Sequence, residues 1–161
     1  MSGPGPTSAP GAPDDAAARA FVVNSLAARA QSVGEIERKL AARGVPPAVA
    51  ATVVDEATRL GYLNDVELAG QLARGFRSRG YGRRRAAATL RRRHLAVDVV
   101  DAALDASYDE TDEAELAVDA LGSRVPADTD DRRRAVAFLI RRGFSPDAAW
   151  RAVRRRADDP D

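Results

Sequence analysis

Three times along this chain, at intervals of about fifty residues, a leucine opens a helical turn that closes on arginine, a helix stop and an apolar residue. The copies are Leu40-Ala41-Ala42-Arg43-Gly44-Val45, Leu90-Arg91-Arg92-Arg93-His94-Leu95 and Leu139-Ile140-Arg141-Arg142-Gly143-Phe144. Glycine at the fifth place accepts the left-handed backbone that ends a helix, and His94 stands there in the middle copy. Each copy is followed by a short amphipathic stretch, 49–60, 97–106 and 148–157, and preceded by another, 16–30, 65–79 and 111–121. A fixed period of this size belongs to repeat architectures. The expected fold is therefore all-α: a disordered tail over 1–15, then three tandem three-helix modules over 16–63, 64–108 and 109–161. Units this small bury too little surface to stand alone, so neighbours should share stability as in a solenoid. Three in a row would make an elongated, curved rod.

The rest of the punctuation agrees with helices. Apolar spacing follows the helical period from Ala16 onward, with no sustained alternation of period two. Ser32 with Glu35 forms a capping box, and Asn64 with Glu67 has the same spacing. Pro46, Pro47 and Pro146 sit where a first helical turn tolerates proline, and Gly44, Gly61, Gly80 and Gly143 where helices should stop. Hydrophobic residues make up 45% of the chain but aromatics only 5%, so the core must be built from Ala, Val and Leu, which favours close-packed helices. Trp150, among Ala148, Ala149 and Val153, is expected in core or inter-helix packing. With no cysteine, disulfides and thiolate metal sites are excluded. The sequence also lacks a signal-peptide pattern and any run of about 18 apolar residues, so a cytoplasmic location is expected.

Net charge is +1, yet the charges are segregated. Residues 68–97 contain no acid and include Arg74, Arg77, Arg79, Arg83, Arg84, Arg85, Arg91, Arg92 and Arg93. An acidic stretch follows over 109–119. With Leu90 at the centre of a buried helix face, the helical period turns Arg84, Arg85, Arg91 and Arg92 outward around Ala88. The same geometry on Leu139 turns Arg133, Arg134 and Arg141 outward around Ala137. Such faces are either solvated helix faces or sites for a polyanionic or acidic partner. Like charges three and four apart repel, which favours a partner on the second module, while on the third the acidic stretch from Asp109 could supply the counter-charge. Tyr81, between two basic helices, either stacks on a base or packs on its neighbour.

Catalytic chemistry is missing from the pattern. His94 is the one histidine, and a helix-end role accounts for it. No nucleophile–base set, phosphate-binding glycine loop or metal-ligand spacing occurs. Asp109, Glu110, Asp112 and Glu113 could hold a hard cation, but they lack the order of a calcium loop and read better as an acidic linker or helix start. No cofactor, metal or catalytic residue is expected, and the chain reads as a non-enzyme.

The motifs Gly61-Tyr62-Leu63-Asn64-Asp65, Leu68-Ala69, Arg77-Ser78-Arg79-Gly80-Tyr81-Gly82-Arg83-Arg84 and Leu90-Arg91 resemble the signature of RecX regulatory proteins. Upstream, Arg29, Ser32, Glu35, Lys39-Leu40 and Gly44 resemble that family's first module. The chain departs from the pattern at Leu68, where the family has Phe, and at His94, where it has Gly. A bulky aliphatic residue is usual near Ala86. The resemblance implies a modulator of the RecA recombinase that docks in the groove of the RecA–DNA filament and typically inhibits ATP hydrolysis, strand exchange and co-protease activity. DNA repair, recombination and the SOS response would be its setting, and a monomer its state. The filament- or DNA-binding residues would be Arg77, Arg79, Tyr81, Arg83, Arg84, Arg85, Arg91, Arg92, Arg133, Arg134 and Arg141. Weak, salt-sensitive, sequence-independent DNA binding is expected beside it. An autonomous, sequence-independent DNA-binding helical protein is the alternative; a metal-dependent nuclease and a helical adaptor are further ones.

Overall fold

The computed structural model describes residues 15–108 and 112–158. Among them are nine helices and no strand: α1 (Asp15–Ala28), α2 (Val33–Ala42), α3 (Pro47–Arg59), α4 (Asp65–Ser78), α5 (Arg83–Arg92), α6 (Val97–Tyr108), α7 (Glu113–Leu121), α8 (Thr129–Arg141) and α9 (Pro146–Asp158). The chain divides between Asn64 and Asp65 into two compact units.

The first unit packs α1 and α2 on α3. Its core holds Ala18, Val22, Ile36, Leu40, Val53, Val54 and Leu63. The capping box at Ser32 forms in full: its hydroxyl accepts from the Glu35 amide at 3.0 Å, and Glu35 Oε2 accepts from the Ser32 amide at 3.0 Å. Buried Gln31 braces the preceding turn by donating to Ser25 O at 2.6 Å and accepting from Lys39. Across the unit, Arg19 Nε donates to Glu56 Oε2 at 2.6 Å. That bond raises the pKa of the arginine and lowers that of the carboxylate.

The second unit holds α4–α6 and α7–α9. One cluster joins Leu68, Ala69, Ala73, Ala86, Leu90, Val100 and Leu104, and another joins Ala117, Leu121, Leu139, Phe144, Ala149 and Val153. Leu116 of α7 packs against both, so the two helical groups share a boundary residue. Alanine is common at these contacts because a methyl group lets helix backbones approach closely.

The three stops of the repeat behave alike. Gly44, His94 and Gly143 have φ of +72°, +54° and +95°. Their amides donate to Ala41 O, Arg91 O and Ile140 O at 2.9, 3.0 and 2.9 Å. The apolar residues that follow, Val45, Leu95 and Phe144, are buried. The Val45 and Phe144 amides reach back to Leu40 O and Leu139 O, both at 3.1 Å, which completes the left-handed C-terminal motif.

Several boundaries differ from the sequence expectation. Asp15 begins α1 rather than ending a tail; the remainder of the expected tail lies outside the described residues, as do Asp109, Glu110 and Thr111. Helix α7 starts at Glu113 because Asp112 caps it, accepting from the Ala114 amide at 3.0 Å. Helix α6 continues to Tyr108, whose ring is buried. Trp150 is 40% exposed, against the expectation of packing: Ala148, Ala149, Ala152 and Val153 form the buried stripe of α9, and Trp150 lies off it. No described helix is long and apolar enough to cross a membrane.

Candidate functional site: the arginine surfaces of the second unit

Helix α5 owes its two faces to the helical period. Ala86, Ala87 and Leu90 are buried, while Arg84, Arg85, Ala88, Arg91 and Arg92 are exposed. The side chains on the exposed face then take different partners. Arg91 lies 3.9 Å from Asp101 on α6, and Arg92 donates to Thr89 Oγ1 at 3.1 Å. Arg83, at the edge of the face, pairs with Asp105. For Arg84, the described residues supply no carboxylate within ion-pair distance.

Arg85 is exposed as the helical period expects, but its guanidinium is engaged. Its Nη1 donates to Arg141 O at 3.1 Å at the end of α8, and its guanidinium lies 4.8 Å from the centre of the Tyr81 ring. Two backbone bonds run alongside: Gly82 N to Arg142 O at 2.9 Å and Arg84 N to Gly143 O at 3.2 Å. The start of α5 is thus bonded to the stop that follows α8, which places Arg84 and Arg141 around one junction.

Tyr81 packs inside that junction. Its ring meets Phe76 edge-on at 5.5 Å and lies 4.8 and 4.9 Å from the Arg85 and Arg142 guanidiniums. Its carbonyl accepts from the Tyr108 hydroxyl at 3.0 Å. Cations occupy the surroundings where a base would have to stack. Arg142 Nη1 in turn donates to Arg79 O and Gly80 O at 2.9 and 3.0 Å.

Arg77 and Arg79 line a cleft of about 820 Å³ together with Arg74 and Arg142. Neither Arg74 nor Arg142 stood out in the sequence as a site residue. Arg142 lies just ahead of the third helix stop, and its distance of 63 residues from Arg79 hides the meeting. On α8, Arg133 and Arg134 are exposed but pair with Asp130 at 3.7 Å and with Asp131, three residues away. Arg141 is exposed, and no described carboxylate pairs with it. It borders a depression of about 480 Å³ with Arg124 and Arg134.

The acidic start of α7 serves α9. Asp112 accepts from Arg155 at 3.3 Å and lies 3.4 Å from Arg151. The Ala114 amide and both arginines hold its carboxyl below the usual range. Glu113 takes the amide and hydroxyl of Ser145 at 2.8 and 2.6 Å. Both carboxylates considered for a cation within the described residues are therefore committed to helix capping.

These features define an all-helical repeat protein whose second unit carries clustered arginines on its surface. A family model of the first three-helix domain of RecX matches residues 18–56. The chain is 37% identical to the regulatory protein RecX of Mycolicibacterium vanbaalenii, over 84% of this chain and 80% of that protein. It is also 37% identical to the regulatory protein RecX of Deinococcus radiodurans, over 86% and 68%. The crystal structure of RecX from Lactobacillus salivarius shares the fold, with a TM-score of 0.76 at 18% identity over 89% of this chain and 96% of that one. The chain belongs to the RecX family of regulatory proteins.

Proposed function

We propose that this protein binds the RecA–DNA filament and modulates it, chiefly by inhibiting RecA ATPase, strand exchange and co-protease activity. It acts in the cytoplasm as a monomer, during DNA repair and the SOS response, and by binding rather than catalysis. Its working units are the three modules 16–63, 64–108 and 109–161. The observation that carries this reading is the set Arg84, Arg92 and Arg141: exposed guanidiniums in one compact unit for which the described residues supply no carboxylate partner. Guanidinium forks pair bidentately with phosphate or carboxylate, the groups a nucleoprotein filament presents.

Direct DNA binding is weak, salt-sensitive and indifferent to sequence in this reading. The exposed positions of α5 offer arginine and alanine and no Asn or Gln to read base edges. The test is RecA ATPase on single-stranded DNA with increasing amounts of this protein. Wild type should inhibit, and Arg84→Ala/Arg92→Ala/Arg141→Ala should inhibit much less at an unchanged thermal melt. Absence of inhibition by wild type overturns the reading.

A further inference from the structure

The cleft between α4, the end of α6, α7 and the α8–α9 turn is distinct from the exposed face of α5. We propose that it is a binding site for a compact oligophosphate, the phosphoanhydride-linked chain found in inorganic tripolyphosphate and in nucleoside triphosphates. At about 820 Å³, it lies within the ordinary range for small-ligand pockets, roughly 300–1,000 Å³. Among the described residues, four arginines line it, Arg74, Arg77, Arg79 and Arg142, with one acid, Asp119. No ion pair links Asp119 to Arg74, Arg79 or Arg142.

One of these cations, Arg142, is held in place by backbone carbonyls. Arg142 Nη1 is fixed by Arg79 O and Gly80 O, and the guanidinium lies 4.9 and 5.0 Å from the Tyr81 and Phe138 ring centres. Its other N–H groups are left for a ligand. Arg74 folds back over Gly70, with Nη1 3.0 Å from where a Cβ would stand there, and Arg79 lies over Gly75 at 3.8 Å. Glycine inside a helix is less favourable than alanine. The two glycines let both guanidiniums settle on the helix surface. Donors ordered beforehand lose less entropy when an anion arrives.

Helix α7 adds the apolar side chains of Leu116 and Ala120 beside Asp119. A nucleic-acid strand held non-specifically gains much of its affinity from aromatic faces on which bases stack. Of the two aromatic residues lining this cleft, Phe144 is buried, and the Tyr81 ring is already flanked by Arg85 and Arg142. Concentrated cations without a stacking platform suit a short, dense anion better than a strand. A sugar attached to the phosphate chain would find a hydrogen-bond acceptor in Asp119, which also lines the cleft.

Isothermal titration of the full chain with sodium tripolyphosphate, at low salt and without RecA, tests this. Saturable binding at one site is expected. Arg74→Gln/Arg79→Gln should weaken it at least about tenfold, since hydrogen bonds to charged groups carry that much each. Arg84→Ala/Arg92→Ala/Arg141→Ala should leave it unchanged, which separates this site from the filament surface. ATP in place of tripolyphosphate distinguishes the sources. Tighter ATP binding that falls to the tripolyphosphate level in Asp119→Ala assigns a nucleotide, and equal affinities assign the phosphate chain alone. No saturable tripolyphosphate binding, or equal binding by the Arg74/Arg79 variant, overturns the proposal. So does an oligothymidylate that binds through Arg74 and Arg79 when tripolyphosphate does not.

Discussion

Gly82 and Gly143 meet backbone to backbone. A Cβ on Gly82 would stand 2.6 Å from the Phe144 amide nitrogen, and one on Gly143 would stand 2.5 Å from the Arg85 amide nitrogen. Real Cβ atoms essentially never come this close to backbone atoms. The contact carries the two hydrogen bonds between the α5 start and the α8 stop. It explains why the Arg-Gly-Tyr-Gly-Arg run needs its second glycine even though Gly82 has an ordinary extended backbone, with φ of −73°.

Gly82→Ala should therefore destabilise the second unit by about 2–4 kcal/mol, in the range of overpacked sites that also lose hydrogen bonds. Urea unfolding followed by circular dichroism would measure it. Gly75→Ala is the control: its Cβ meets only the tip of Arg79, at 3.8 Å, and the change should stabilise by up to about 1 kcal/mol. Equal effects at the two positions would contradict the account of the junction.

His94 is the one non-glycine with positive φ among the described residues. A left-handed backbone costs an L-residue roughly 1–2 kcal/mol, part of which glycine gives back through its greater freedom when unfolded. His94→Gly should raise stability by about 0.5–1 kcal/mol, and His94→Val should lower it, because a β-branched chain fits that region worst. Thermal melts of the two variants should move in opposite directions.

Much of this fold was legible in the sequence because its signals are local. The fifty-residue recurrence of Leu-x-x-Arg-stop-plug marked the three stops, and the Ser32–Glu35 spacing marked a cap; each lies within a few residues of its partners. The helical period also separated Leu90 from Arg84 correctly. The period says which way a Cα–Cβ bond points and nothing of where a long side chain ends. Arg85 shares the exposed face of α5 with Arg84, yet its guanidinium reaches a carbonyl 56 residues away. The Arg74–Arg142 cleft and the Gly82–Gly143 contact arise between helical groups, and no pattern within one group encodes them. Trp150 misled for a related reason: its alanine neighbours are the buried stripe, and adjacency in sequence is not adjacency on a helix.

Burial pushes the Tyr108 phenol up to about 12 from a usual value near 10, against the opposing pull of Arg77 and Arg83. The folded state therefore keeps this proton more tightly than the unfolded chain. Its contribution to stability is complete below pH 10 and declines as pH rises from about 10 to about 12. Wild type should lose stability across that window. Tyr108→Phe should be less stable at neutral pH by about 1 kcal/mol, from the lost bond to Tyr81 O, and should show a flatter alkaline limb. Urea midpoints measured between pH 8 and 11 would show both, and parallel alkaline limbs would contradict the role given to Tyr108.

Arg84 and Arg85 are neighbours of equal charge on one exposed helix face, and the structure gives them different tasks. Arg85 joins α5 to the end of α8 through Arg141 O and the Tyr81 ring, while Arg84 has no described carboxylate partner. Arg85→Ala should cost about 1 kcal/mol in the stability of the second unit, the usual worth of an exposed charged hydrogen bond with a cation–π contact. Arg84→Ala should leave stability within about 0.5 kcal/mol of wild type, as surface substitutions do. The order reverses for binding. On the proposed function, Arg84→Ala should reduce both affinity for single-stranded DNA and the steepness of its salt dependence, because it would remove one phosphate contact. Arg85→Ala should change the salt slope less than Arg84→Ala does. Paired urea melts and salt titrations of fluorescence anisotropy would measure all four quantities. The same ranking in both assays would mean that the two side chains share one role and that the bond to Arg141 does not set Arg85 apart.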